Sequence, residues 1–167
     1  MKYQAEGGPG LRQCADVIRE HCALPAVDLP ALVKWVGFNH LIGNADAHAK
    51  NLALLYTERG LRLSPHYDLV STEVYPDLQG AMAMKIGSSW DARNVQNADW
   101  KRFAGTVRLP WSNVRALLSE VADAVASAVA AVVEQQEDRV GRNPILERIR
   151  RVVDGHLQQM RRELGKR

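Results

Sequence analysis

Gly43-Asn44-Ala45-Asp46-Ala47-His48-Ala49-Lys50-Asn51, followed after a short apolar stretch by Ser64-Pro65-His66-Tyr67-Asp68, concentrates two carboxylates, two amides, two imidazoles and a lysine in one span. Hard oxygen donors beside a potential proton acceptor are what a magnesium-dependent phosphoryl-transfer site requires. The elements on either side of this stretch decide whether its polar groups can converge.

Upstream, Asp28 is an N-cap candidate with Pro30 in the first turn. The helix it would open carries Leu32, Trp35, Val36, Asn39, His40 and Ile42 toward Gly43, a natural terminator, so the polar motif begins where the helix stops. Downstream, Leu52–Tyr56 and Leu61–Leu63 are short extended runs separated by Thr57-Glu58-Arg59-Gly60, a hairpin pattern. A turn centred between Arg59 and Gly60 would place Asn51 opposite Asp68. Cα atoms of opposed residues lie roughly 4.5–5.5 Å apart, which a cation about 2.1 Å from each ligand oxygen can bridge. Asn51 and Asp68 are therefore the candidate metal ligands, and Asp46 lies on the loop entering the hairpin, beside the metal.

The rest of the chain reads as scaffold. Leu11–Cys22 has a helical period with Val17 and Ile18 inward, Ala81–Gly87 is a further strand candidate, and Asp99–Val107 is a short helix with Trp100 and Phe103 as core. A long helix over 113–137 keeps Val114, Leu117, Leu118, Val121, Val125, Val129 and Val132 on one stripe, and Asn143-Pro144 caps the last helix. The fold class expected is mainly α with a small β element (α+β), a helical bundle carrying a catalytic β-hairpin in a single domain over residues 1–167.

At 167 residues and 46% apolar composition the chain can build a sizeable core. Cys14 and Cys22 read as two small buried thiols rather than a disulfide. The net charge of +3 is small. Its one dense basic region, Arg148, Arg150, Arg151, Arg161, Arg162, Lys166 and Arg167, alternates with Ile149, Val152, Val153, Leu157, Met160 and Leu164 as an amphipathic helix does, so no direct nucleic-acid contact is expected. No run approaches an uninterrupted membrane-spanning length and the start lacks a hydrophobic signal region, which places the expected site of action in the cytoplasm, away from membranes. His21 and His156 read as surface positions without a role.

A carboxylate five residues before an Asn, with a second Asp beyond a hairpin, is the layout of a protein-kinase catalytic loop and its metal-binding Asp. The stretch from Phe38 to Asn51, with Leu63–Thr72 and with Lys2-Tyr3 and Gly7-Gly8-Pro9 upstream, resembles the C-terminal lobe of the HipA-like serine/threonine kinases, the toxin components of bacterial HipB–HipA modules. The resemblance implies that Asp46 is the catalytic base, that Asn51 and Asp68 are magnesium ligands, and that His48 stands near the transferred phosphate, where many kinases place a lysine. Lys50 is grouped with Asp46 and His48 on the catalytic side.

The same resemblance implies Mg2+ and ATP, a protein substrate bearing Ser or Thr, a HipB-like antitoxin and a complementing N-terminal lobe. That lobe, with its phosphate-covering loop and nucleotide-pairing lysine, has no counterpart here, so the isolated chain is expected to be nearly inactive. Two other classes stay open. In a metal-dependent phosphoesterase, Asp46, His48, His66 and Asp68 would be mixed ligands. A non-enzymatic fragment would only bind a partner.

Overall fold

The computed structural model describes residues 1–75, 77 and 81–165. Its elements, in chain order, are α1 (Leu11–His21), α2 (Pro25–Leu41), β1 (Leu54–Thr57), β2 (Gly60–Leu63), α3 (Asn97–Thr106), α4 (Trp111–Val140) and α5 (Pro144–Glu163). Single 3-10 turns stand at Gln4–Glu6, Ala49–Asn51 and Ala92–Asn94. The mainly α, α+β architecture expected from the sequence is the one observed. Lys166 and Arg167 of the basic tail lie outside the described residues.

α2 is the central element. It is apolar nearly all round and buries Leu29, Leu32, Val33, Trp35, Val36 and Leu41, because α1, α4 and α5 pack against different sides of it. Gly37 lets α4 come close: a Cβ there would lie 2.8 Å from Leu118 Cδ2. Trp100 and Phe103 of α3 are fully buried in the same core, as are Leu118 of α4 and Met160 of α5.

α2 starts at Pro25, three residues before the expected N-cap. Asp28 instead sits buried in the first turn, favourably placed at the positive end of the helix, where it accepts Nε and Nη2 of Arg62 at 2.9–3.1 Å. That pair fastens β2 to α2. Asn143 caps α5 as expected, accepting Ile145 N–H at 3.0 Å. α3 starts at Asn97, with Asp99 Oδ2 accepting Gln96 N–H at 3.1 Å. Cys14 and Cys22 are free, and burial pushes both thiols up to about 11.

Beyond the N-cap, five sequence expectations are corrected. The hairpin pairs Leu54 with Leu63 and Thr57 with Gly60, so its turn is Glu58-Arg59 and the register differs by two from the one expected. Gly60, at φ +101°, takes the left-handed conformation the tight turn needs. Ala81–Gly87 is not a strand: Ile86 and Ser89 form an isolated bridge, and the segment's other bonds go to non-strand partners, Gln4, Ala45 and Trp90. Val17 is 44% exposed while Ile18 is buried, and His156 is buried against Glu73 rather than at the surface.

The fifth correction concerns α4. Val114, Leu118 and Ala122 are buried, but no residue beyond Ala122 is, and Val132 is 52% exposed. This helix is long and apolar enough by length and composition to cross a membrane, although Glu120 and Asp123 interrupt it and its first half belongs to the core. The unequal burial gives a direct test by urea denaturation. Leu118→Ala should cost about 2–5 kcal/mol, whereas Val132→Ala, on the same expected stripe, should change stability by less than about 0.5 kcal/mol.

Candidate active site

The loop after α2 is held by main-chain groups. Gly43, at φ +65°, turns the chain where a Cβ would lie 2.7 Å from Val152 Cγ1, so glycine satisfies both the backbone conformation and the space. Its carbonyl accepts Thr72 N–H at 3.1 Å and Glu73 N–H at 3.0 Å. The segment after Asp68 is thereby hung from the end of α2. Thr72 also reaches the loop through its hydroxyl, which accepts Ala45 N–H at 2.8 Å.

A buried amide relay sets the loop's shape. Asn39 Nδ2 donates to Trp35 O at 2.9 Å, and Asn39 Oδ1 accepts Asn44 Nδ2 at 2.7 Å. Asn44 Nδ2 also donates to Asp68 O at 3.2 Å, and Asn44 Oδ1 accepts Asp46 N–H at 3.1 Å. One side chain thus ties the Asp46 backbone to the Asp68 backbone. A buried amide left without partners would cost about 1–3 kcal/mol, so the relay specifies a single loop geometry.

Asn51 ends the 3-10 turn and is 4% exposed. Its Oδ1 accepts His48 N–H at 2.9 Å and its Nδ2 donates to Asp68 Oδ2. The side chains of Asn51 and Asp68 therefore meet, as expected, although neither lies in the strand ladder. Asp68 has φ +57° and is solvent-exposed. His48 is 6% exposed, and burial lowers its pKa, with Asp46 opposing that shift, Lys2 adding to it and Asp68 also opposing it. Its ring lies within electrostatic reach of all three. Burial lowers His66 as well.

Asp46 has both carboxylate oxygens engaged. Lys2 Nζ donates to Oδ2 at 2.8 Å and Tyr3 OH donates to Oδ1 at 3.0 Å. A cleft of about 400 Å³ lined by Asp46, Tyr3, Glu6, Thr72 and Met82 opens in front of it. Lys50 is exposed, its carbonyl accepts Tyr67 OH at 2.8 Å, and its ammonium has no protein partner among the described residues. Asn39, Asn44 and Thr72 were not among the expected site residues. Polar residues at 39 and 44, one on the buried face of an apolar helix and one just past its end, were the available signal.

The donor set suits magnesium: an exposed carboxylate at Asp68, plus Asn51 Oδ1, which keeps one lone pair after accepting His48 N–H. Among the described residues, no group of three or more His, Cys, Asp or Glu side chains is placed to hold an ion, so Asp46, His48, His66 and Asp68 do not form the mixed-ligand cluster of the phosphoesterase alternative.

Residues 1–129 match the family model for the HipA-like C-terminal domain. The chain is 39% identical over 137 residues to a Sinorhizobium fredii protein named "Putative kinase Y4mE", covering 82% of this chain and 33% of that protein. It is 32% identical over 112 residues to the serine/threonine-protein kinase toxin HipA of Shewanella oneidensis, covering 67% of this chain and 26% of that one. It thus spans a third or less of the length of these relatives. The structure superposes on HipA from the S. oneidensis complex of HipA, HipB and operator DNA with a TM-score of 0.78 and 25% identity, over 95% of this chain and 37% of that one.

Beneath the loop, His156 Nε2 lies 2.7 Å from Glu73 Oε2, and the His156 ring is 4.9 Å from that of His40, which also packs edge-on against Trp100. Complete burial, with the neighbouring His156 adding to it, pushes His40 down to about 3 from an ordinary 6.5. The unfolded chain therefore takes up this proton first, and the stabilisation present above pH 6.5 is lost as pH falls through the window from 6.5 to 3. Between pH 7 and pH 5, urea midpoints should show about 2 kcal/mol of loss from this residue, absent in His40→Phe.

Proposed function

The chain belongs to the HipA-like C-terminal domain family, and from that membership we propose that it supplies the catalytic base and metal ligands for transfer of the ATP γ-phosphate to a Ser or Thr hydroxyl. The observation that carries this reading is the meeting of Asn51 and Asp68, 17 residues apart, with Asp46 tied to both their surroundings through Asn44 and His48. In that role Asp46 takes the acceptor hydroxyl's proton. Asp68 and Asn51 would hold magnesium, which would supply charge neutralisation for the nucleotide phosphates. The cleft in front of Asp46 receives the acceptor residue.

Burial disfavours a positive charge on the His48 ring, so Lys2, bonded to Asp46, is the cation placed at the proposed base. Nucleotide clamping falls to a further lobe, on a separate chain or in a longer protein. Similarity to a named kinase toxin, and to a structure in which HipA is bound with HipB, supports a toxin role with a HipB-like partner.

The test is magnesium-dependent ATP binding and peptide phosphorylation, measured with and without a supplied nucleotide-binding lobe. Positioning dominates such catalysis, so the isolated chain should be nearly silent and the assembled form active. In the assembled form, Asp46→Asn should lower kcat about 10²–10⁴-fold with nucleotide binding kept, whereas Asp68→Asn should weaken the magnesium dependence of binding itself. Transfer that survives Asp46→Ala would overturn the assignment.

A further inference from the structure

Lys2 and Tyr3 come from the N-terminal turn, more than forty residues before the base they touch, and the turn is constructed to bring them there. Tyr3 O accepts Glu6 N–H at 3.1 Å and Gly8 N–H at 2.9 Å, with Gly7 at φ +89°. A Cβ on Gly8 would lie 2.7 Å from Tyr3 O, so the closure tolerates only glycine. Gln4 N–H then donates to Ala83 O at 2.9 Å, and Ala83 N–H donates to Ala45 O at 2.8 Å, docking the turn on the residue next to Asp46.

This construction does little for stability. The Lys2 and Asp46 side chains are 39% and 40% exposed, and surface ion pairs of that kind contribute little to folding. Its geometric effect is larger. Lys2 fixes Oδ2 from one side and Tyr3 fixes Oδ1, so the carboxylate plane cannot rotate freely. The Tyr3 hydroxyl also lies 3.0 Å from Oδ1, within the range a general base requires of the hydroxyl it deprotonates.

We propose that Lys2 is a positioning residue that aims the Asp46 carboxylate, and that Tyr3 holds Oδ1 until the acceptor hydroxyl displaces it. The inference rests on the phosphotransfer reading above. In the step it describes, the acceptor hydroxyl replaces Tyr3 OH at Oδ1. Its oxygen bonds to the γ-phosphorus as its proton passes to Asp46, and the bond from that phosphorus to the β,γ-bridging oxygen breaks, releasing ADP. Lys2 remains on Oδ2 throughout. Its ammonium pKa is raised, first by the hydrogen bond to Asp46, so the positive charge persists beside the reacting groups.

Two measurements test this. In the isolated chain, carboxyl-carbon NMR should show the Asp46 signal moving in Lys2→Met, with the amide spectrum of the core unchanged. An unmoved Asp46 signal overturns the proposal. In the form assembled with a nucleotide-binding lobe, acting on a serine-containing peptide, Lys2→Met should lower kcat about 10- to 100-fold while KM for magnesium-ATP stays within about twofold. Lys2→Arg should recover most of that loss, and Lys2→Met should add nothing in an Asp46→Asn background.

Tyr3→Phe should lower KM for the peptide without lowering kcat; a fall in kcat there overturns the displacement step. Independent, additive losses from Lys2→Met and Asp46→Asn overturn the positioning role alone. Absence of transfer by the unmodified assembly overturns the kinase reading and this inference with it.

Discussion

The side-chain amide of Asn44 is the constraint on which the site depends. It is buried at the end of α2, receives its orientation from Asn39, and holds the backbone of Asp46 with its oxygen and the backbone of Asp68 with its nitrogen. Two segments 22 positions apart are thus registered through one amide at the end of a rigid helix, and the Asn51–Asp68 and Ala45–Thr72 bonds join them directly as well. Burial makes the arrangement selective, because any loop conformation that broke one of these bonds would leave a polar atom without water or partner. Gly43 does the complementary work for the following segment, through its carbonyl to Thr72 and Glu73.

The rigidity of α2 comes in turn from what surrounds it. Its apolar sides are covered by three helices, and its first turn is anchored to the hairpin through Asp28 and Arg62. The same hairpin separates Asn51 from Asp68. One helix therefore sets the position of Asp46 from its C-terminal end and the position of the hairpin from its N-terminal end. Catalysis that relies on placing charged groups rather than on reactive nucleophiles is well served by such a scaffold.

Local signals in the sequence were reliable where local physics decides the outcome. Gly43 as a helix stop, Asn143 as a cap, and Trp100 and Phe103 as core all appear in the structure as the residue types alone suggest. The convergence of Asn51 with Asp68 was also legible, but for an incomplete reason: the expected register was off by two, and the pair meets beyond the ladder through a 3-10 turn and a left-handed residue. Periodicity misjudged Val17 and the outer half of α4, since an apolar stripe is buried only where a neighbouring element covers it. His156 and the engagement of Asp46 by Lys2 and Tyr3 depend on partners 83, 44 and 43 positions away, which no local pattern encodes.

The two thiols carry a practical consequence. With both Cys14 and Cys22 pushed up to about 11 by burial, roughly one molecule in ten thousand presents a thiolate at neutral pH. Maleimide and iodoacetamide reagents, which need the anion, should pass over both. A cysteine introduced at an exposed position such as Lys50 would then be the preferred point of attachment for a fluorophore or spin label, reporting on loop motion without first stripping the protein of its native sulfur.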